Sequence, residues 1–170
     1  LDERGEFEIK IKPEHPERCL PDLVNDYLHR ATRGEWDNAV PLTSGIQYLL
    51  DYCIRLGVIV IPIGQNFSFD WSFLSVALAW CGIMENDWRK SLHYARLDIR
   101  SMAVQQLLAP NDVYDPAQYS LRNEVLAKRL GIPAEPYPHK ALQGAREAYL
   151  VYKALREFKK ARFSEAANGL

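Results

Sequence analysis

The sequence predicts an α/β fold, and three observations carry that expectation. The segment "VIVIPI" at 58–63 is continuously apolar and rich in β-branched residues, as a strand buried on both faces would be. The segment "EFEIKIK" at 6–12 alternates charged with apolar residues, the pattern of a half-exposed strand. Between and after these lie stretches whose apolar residues recur at helical spacing.

Taken in order, "DERG" at 2–5 reads as a turn ahead of the first strand. Pro21 suits the first turn of a short helix running to Leu28, and a polar loop rich in Arg and Asp follows. A second helix starts at Thr43 or Ser44. Ile46, Leu49, Leu50, Cys53 and Ile54 form its apolar stripe, and Gly57 is placed to end it. In "VIVIPI", Pro62 has no N–H and prevents normal pairing on one side. A third helix is expected after Asp70, burying Phe73, Leu74, Ala77, Leu78 and Cys81 and closing at Gly82. "ARLDIRSMAVQQLL" reads as a short strand, about 95–99, running into a helix. Residues 110–116 are a loop; Ser120 caps the helix "LRNEVLAKRLG", which stops at Gly131. Pro133, Pro136 and Pro138 stiffen the connection to a last helix from Lys140 to about Ala161. With no repeat, low-complexity tract or linker, 1–170 is expected to be a single domain.

Composition narrows the class. With 48% apolar residues in 170, the chain can bury a core of its own. A formal net charge of -1 does not advertise a nucleic-acid binder, although a local basic patch is compatible with it. No apolar run reaches the roughly 18 residues of a membrane span, so no membrane partner is expected. Cys19, Cys53 and Cys81 are odd in number and lack zinc spacing, which suits free thiols in a reducing cytoplasm.

Two segments carry chemistry. In "GQNFSFDWSFL", an Asn, two Phe and an Asp lie between an apolar strand and a helix, where binding residues collect. Phe67 and Phe69 are either core residues or surfaces on which nucleobases stack. Asp70 is either a metal ligand or the N-cap of the following helix. His139, between Pro138 and the last helix, is either a capping or surface residue or a general base, since imidazole titrates near ~6.5. His15, His29 and His93 have no partner motif.

Together these segments resemble the DnaQ-like (DEDDh) 3′–5′ exonucleases, the proofreading and RNA-trimming (RNase T type) family. Asn66, Phe69 and Asp70 match the family's second motif. His139 and Ala141, in "HKALQGAREAYLVY", match its third, His-x-Ala-x-x-Asp at the head of a helix. "LDIRSM" resembles the strand after the second motif, and "YSLRNEVLAKRLGI" the segment before the third. The likeness runs from the strand at 6–12 to Tyr152.

The resemblance implies a ribonuclease-H-like mixed sheet flanked by helices, and two-metal hydrolysis of a terminal phosphodiester in DNA or RNA by Mg²⁺ or Mn²⁺. It implies that Asp70 is a metal ligand and that His139 is the base; Asn66, Phe67, Phe69 and Arg146 are the candidates to meet the substrate's single-stranded 3′ end. The chain departs from the pattern at two places. The first motif, Asp-x-Glu on the first strand, has no counterpart, so the domain reads as lacking its first strands. The third motif's Asp position holds Gly144. Glu147, one helical turn on, is the candidate substitute, because helix side chains lean toward the N-terminus.

With only Asp70 of four carboxylates, this chain is expected to hold metal weakly and to be a weak or inactive hydrolase. The alternatives are a non-catalytic single-stranded nucleic-acid binder, with Lys128, Arg129, Lys140 and Arg146 on phosphates, or a structural interaction domain. The apolar edge at 58–63 is expected to be covered by an upstream segment, an exchanged strand or a partner, such as a polymerase or second chain.

Overall fold

The computed structural model describes residues 5–18, 20–107, 115, 120–133 and 141–168. It is a mixed α/β structure with seven α-helices and two paired strands among these residues. The helices are α1 (Pro21–Thr32), α2 (Leu42–Arg55), α3 (Phe67–Trp80), α4 (Glu85–Trp88), α5 (Ile99–Leu107), α6 (Asn123–Arg129) and α7 (Ala141–Asn168); the strands are β1 (Ile63–Gly64) and β2 (Leu97–Asp98). The described residues divide into two compact units, one made of those within 1–5, 61–72 and 94–170, the other of those within 6–60 and 73–93.

In the first unit β1 and β2 pair in parallel, Ile63 opposite Leu97 and Gly64 opposite Asp98. The Leu97 N–H donates to the Pro62 carbonyl at 3.0 Å, which Pro62 can accept although it cannot donate. α5 and α6 both pack on α7, and β1 also lies against α7. Their apolar faces meet in a cluster of Ile99, Ala103, Leu126, Ala127, Val151 and Leu155, all fully buried, with Ile63 and Met102 against it. Ile99 and Ala103 on α5, and Val151 and Leu155 on α7, are each four residues apart, as one helix face requires. α6 stops at Gly131, whose φ of 68° a side-chain-bearing residue rarely adopts. The Ser120 hydroxyl accepts the Arg122 N–H just ahead of α6.

In the second unit α2 buries Ile46, Leu50 and Cys53, three of the five residues in its expected stripe, whereas Ile54 is exposed. Gly57, with φ 68°, ends it. Gly45 is buried because Ile11 occupies the place of a side chain: a Cβ there would lie 2.7 Å from Ile11 Cγ1. α1 runs one turn past its expected end, to Thr32. A polar cluster follows, in which Glu35 accepts hydrogen bonds from Arg30 at 2.9 Å and Arg33 at 2.6 Å. The Arg30 guanidinium lies 4.7 Å from the Trp36 ring centre.

Three expectations need correction. Residues 6–12 make only an isolated bridge, Ile11 opposite Val40, and not a laddered strand. The alternation is nonetheless real: Phe7, Ile9 and Ile11 are half-buried and Glu8, Lys10 and Lys12 exposed. The side-chain pattern sets the faces, but neighbouring backbone must be present to make a sheet. Next, 58–63 is not buried on both faces. Val60 bridges Leu92, yet Val58, Ile59 and Ile61 are about half exposed, at 48%, 55% and 50%. Finally, Phe73 on α3 is 65% exposed, while Leu78 is buried as expected. α3 is apolar on almost every side, so periodicity alone had no polar face from which to choose the inner one.

Candidate functional site

The carboxyl ends of β1 and β2 face the start of two helices, α3 and α5, within the first unit. This is the edge of a parallel sheet at which ligands ordinarily bind. Its centre is the turn Gly64-Gln65-Asn66-Phe67, and the local chemistry explains each residue. Gly64 has no side chain because Phe67 fills the space: a Cβ would stand 2.7 Å from Phe67 Cδ2. The Gln65 side-chain amide donates to the Leu121 carbonyl at 2.5 Å. Asn66 has φ 57°, and is the one residue other than glycine with positive φ among those described. Asn tolerates that conformation better than most side chains. Its carbonyl accepts the Phe69 N–H at 2.9 Å as α3 begins.

Asp98, the last residue of β2, holds the turn from the opposite side. Its Oδ2 accepts the Phe67 N–H at 2.9 Å and its Oδ1 accepts the Ser101 N–H at 3.0 Å. One carboxylate thus satisfies orphan N–H groups at the starts of both α3 and α5. Beside it, the Phe67 and Trp71 rings are 6.5 Å apart, and the Arg96 guanidinium lies 4.8 Å from the Trp71 ring centre.

The expected site residues are distributed as follows. Asn66, Phe69 and Asp70 are exposed at the start of α3, and Phe67 is half-buried beside Gly64. Asp70 is not an N-cap, since α3 starts at Phe67; it lies in the first turn, where the helix dipole favours a carboxylate. Arg146 and Glu147 stand on α7, Arg146 half-buried and Glu147 only 6% exposed. Glu147 is therefore not the exposed-face residue that ordinary helix patterning suggests. Gly144 is half-buried on the same helix. His139 and Lys140, like Cys19, lie outside the described residues.

A two-metal centre needs several hard oxygen donors at one place. Among the described residues no three His, Cys, Asp or Glu side chains are grouped to hold an ion. Both oxygens of Asp98 are already engaged by backbone N–H groups, and Asp70 stands in the first turn of α3. The described donor set does not fit two divalent ions.

Gly64, Gln65, Arg96 and Asp98 escape a motif-based reading of the sequence. The signal for Asp98 was present in "LDIRS": an Asp immediately before the first residue of a helix is an N-cap pattern. Its second bond, to Phe67, joins residues far apart in the chain and has no local signature. Compared with protein-family models, with curated proteins and with solved structures, the chain gives no match.

Proposed function

We propose that this chain is a 3′–5′ exonuclease-type domain that binds the 3′ end of single-stranded DNA or RNA. Its hydrolysis is far below that of a domain bearing all four metal carboxylates. The observation that carries this reading is the turn at 64–67. A motif with Asn66, Phe69 and Asp70 stands at the carboxyl end of a parallel strand, fastened by Gln65 and Asp98, with its aromatic and polar side chains exposed. Phe69 offers a face to a terminal base and Asn66 an amide to its sugar or base edge. Lys128 and Arg129, exposed on α6, and Arg146 on α7 supply positive charge for phosphates.

In this reading the fold is of the ribonuclease-H-like type, with its sheet completed by strands beyond β1 and β2. Mg²⁺ or Mn²⁺ is the expected ion, Asp70 its matched ligand and His139 the matched base. The buried Glu147 on α7 is the candidate substitute for the carboxylate missing at Gly144. Free Cys53 and Cys81 suit a cytoplasmic setting. No helix among the described residues is long and apolar enough to cross a membrane.

The test is retention and degradation of 5′-labelled single-stranded DNA and RNA in Mn²⁺, with EDTA and Asp70→Ala as controls. The expected result is retention at low salt that falls as salt rises, with little shortening. Phe69→Ala is expected to weaken retention by about tenfold, the loss of one stacked base. A fast 3′ ladder abolished by both controls would restore a full catalyst; no retention at low salt would remove the nucleic-acid reading. In that event the exposed Val58, Ile59 and Ile61 favour the second reading, an interaction domain whose partner chain covers that edge.

A further inference from the structure

We propose that Asp98 is a positioning residue whose carboxylate clamps the turn at 64–67 and so holds Asn66 in its exposed, left-handed conformation. The binding consequence rests on the reading of this turn as the nucleic-acid contact; the clamp itself does not. Asn66 lies between two tethered neighbours. Gln65 is fastened to the Leu121 carbonyl, and the Phe67 N–H to Asp98 Oδ2 at 2.9 Å. The Phe67 N–H belongs to the first turn of α3 and has no acceptor within the helix. With that bond gone, the turn loses the tether on the Phe67 side of Asn66, which helps offset the cost of its positive φ.

The chemistry admits only a carboxylate of this length. Oδ1 is committed to the Ser101 N–H at 3.0 Å, so both oxygens must accept at once. An Asn at this position has one acceptor oxygen; its amide NH₂ would face the second N–H donor. A Glu carries the same oxygens one methylene too far out. Asp98→Asn, although nearly isosteric, is thus expected to behave like Asp98→Ala.

The experiment is NMR of the ¹⁵N,¹³C-labelled full chain, wild type against Asp98→Asn and Asp98→Ala. Backbone couplings of Asn66 and amide exchange at Phe67 and Ser101 are the readouts. Both variants are expected to move Asn66 to negative φ and to lower protection at Phe67 by about tenfold, as loss of one bond to a charged acceptor implies. The amides of Leu126 and Val151 keep their protection. If Asp98→Ala fails to fold, Asp98→Asn decides. Unchanged φ and protection at residues 66 and 67 overturn the clamp.

A second arm measures binding of a 5′-fluorescein oligothymidylate to Asn66→Ala, Asp98→Asn and the double variant. Each single change is expected to weaken binding by about tenfold, and the double no further, since both disable one contact. Losses that multiply overturn the positioning role. If the wild type does not bind the oligonucleotide, the nucleic-acid reading fails, and the couplings alone decide the clamp.

Discussion

Gly64→Ala tests the construction of the turn most directly. The added methyl would stand 2.7 Å from Phe67 Cδ2, with Cγ at 3.5 Å and Cβ at 3.6 Å. Carbon atoms pack best at ~3.5–4.0 Å, so one of these contacts is too short by close to an ångström. The ring must therefore turn away from Gly64 or β1 must shift. Overpacking of this kind costs about 1–3 kcal/mol. Alanine returns about 0.4–1 kcal/mol by restricting the unfolded chain, since Gly64 does not need positive φ. Crowding outweighs the return, and the net loss is expected to be about 1–2 kcal/mol.

The assay is the urea midpoint at constant m-value, together with amide exchange at Phe67. Gly57→Ala is the matched control. It places a methyl where nothing lies within 4 Å but φ is 68°, so its cost is conformational alone, about 1–2 kcal/mol. That variant leaves Phe67 exchange unchanged, whereas Gly64→Ala accelerates it. A Gly64→Ala protein as stable as the wild type, with Phe67 equally protected, would refute the argument that Phe67 excludes a side chain at residue 64.

Four further outcomes are expected. Leu126→Ala removes a fully buried side chain from the cluster on α7 and should cost about 2–5 kcal/mol in urea unfolding; a loss below ~1 kcal/mol contradicts that packing. Hydrogen bonds from Arg30 and then Arg33 hold the Glu35 carboxyl below the ordinary glutamate value. Because the folded value is the lower one, this stabilisation is complete above the unfolded value and disappears as pH falls through the folded one. Glu35→Gln should accordingly flatten the acid limb of a stability–pH curve, and an unchanged limb contradicts the assignment. Burial pushes the Cys53 thiol up, so iodoacetamide on the native chain should label Cys81 before Cys53, read by peptide mass mapping; the reverse order contradicts it. Gly144→Asp restores the third-motif carboxylate one turn before Glu147, and calorimetry should show tighter Mn²⁺ binding than in the wild type; equal affinity argues against the exonuclease resemblance.

Helix positions were legible in the sequence because their signals are local. Pro21 starts α1, Gly57 and Gly131 sit just past α2 and α6 at φ 68°, and the stripe from Ile46 to Cys53 is the buried face of α2. The turn carrying Asn66 was legible for the same reason, as a polar residue between an apolar segment and a helix, although Asp70 lies in the first turn of α3 and not ahead of it. Alternation at 6–12 correctly separated the half-buried Phe7, Ile9 and Ile11 from the exposed charges. It could not report whether a neighbouring strand exists, and there the chain makes only one bridge. The inner face expected for α3 was right for Leu78 and wrong for Phe73, since Phe73, Leu74, Val76 and Leu78 are all apolar and leave no polar face to choose by. Only the packed structure places Leu78 inside and Phe73 out.

What the sequence determined by itself was where most helices lie and the chemistry offered by the turn after β1, because capping, φ preference and periodicity act over a few residues; it did not announce α4, and α1, α3 and α7 run past their expected bounds. What the tertiary structure decided was how that turn is held. The bonds from Gln65 to Leu121 and from Phe67 to Asp98 close long loops of chain. Their stabilising effect exists only once the helices around α7 have packed and brought those residues within ~3 Å.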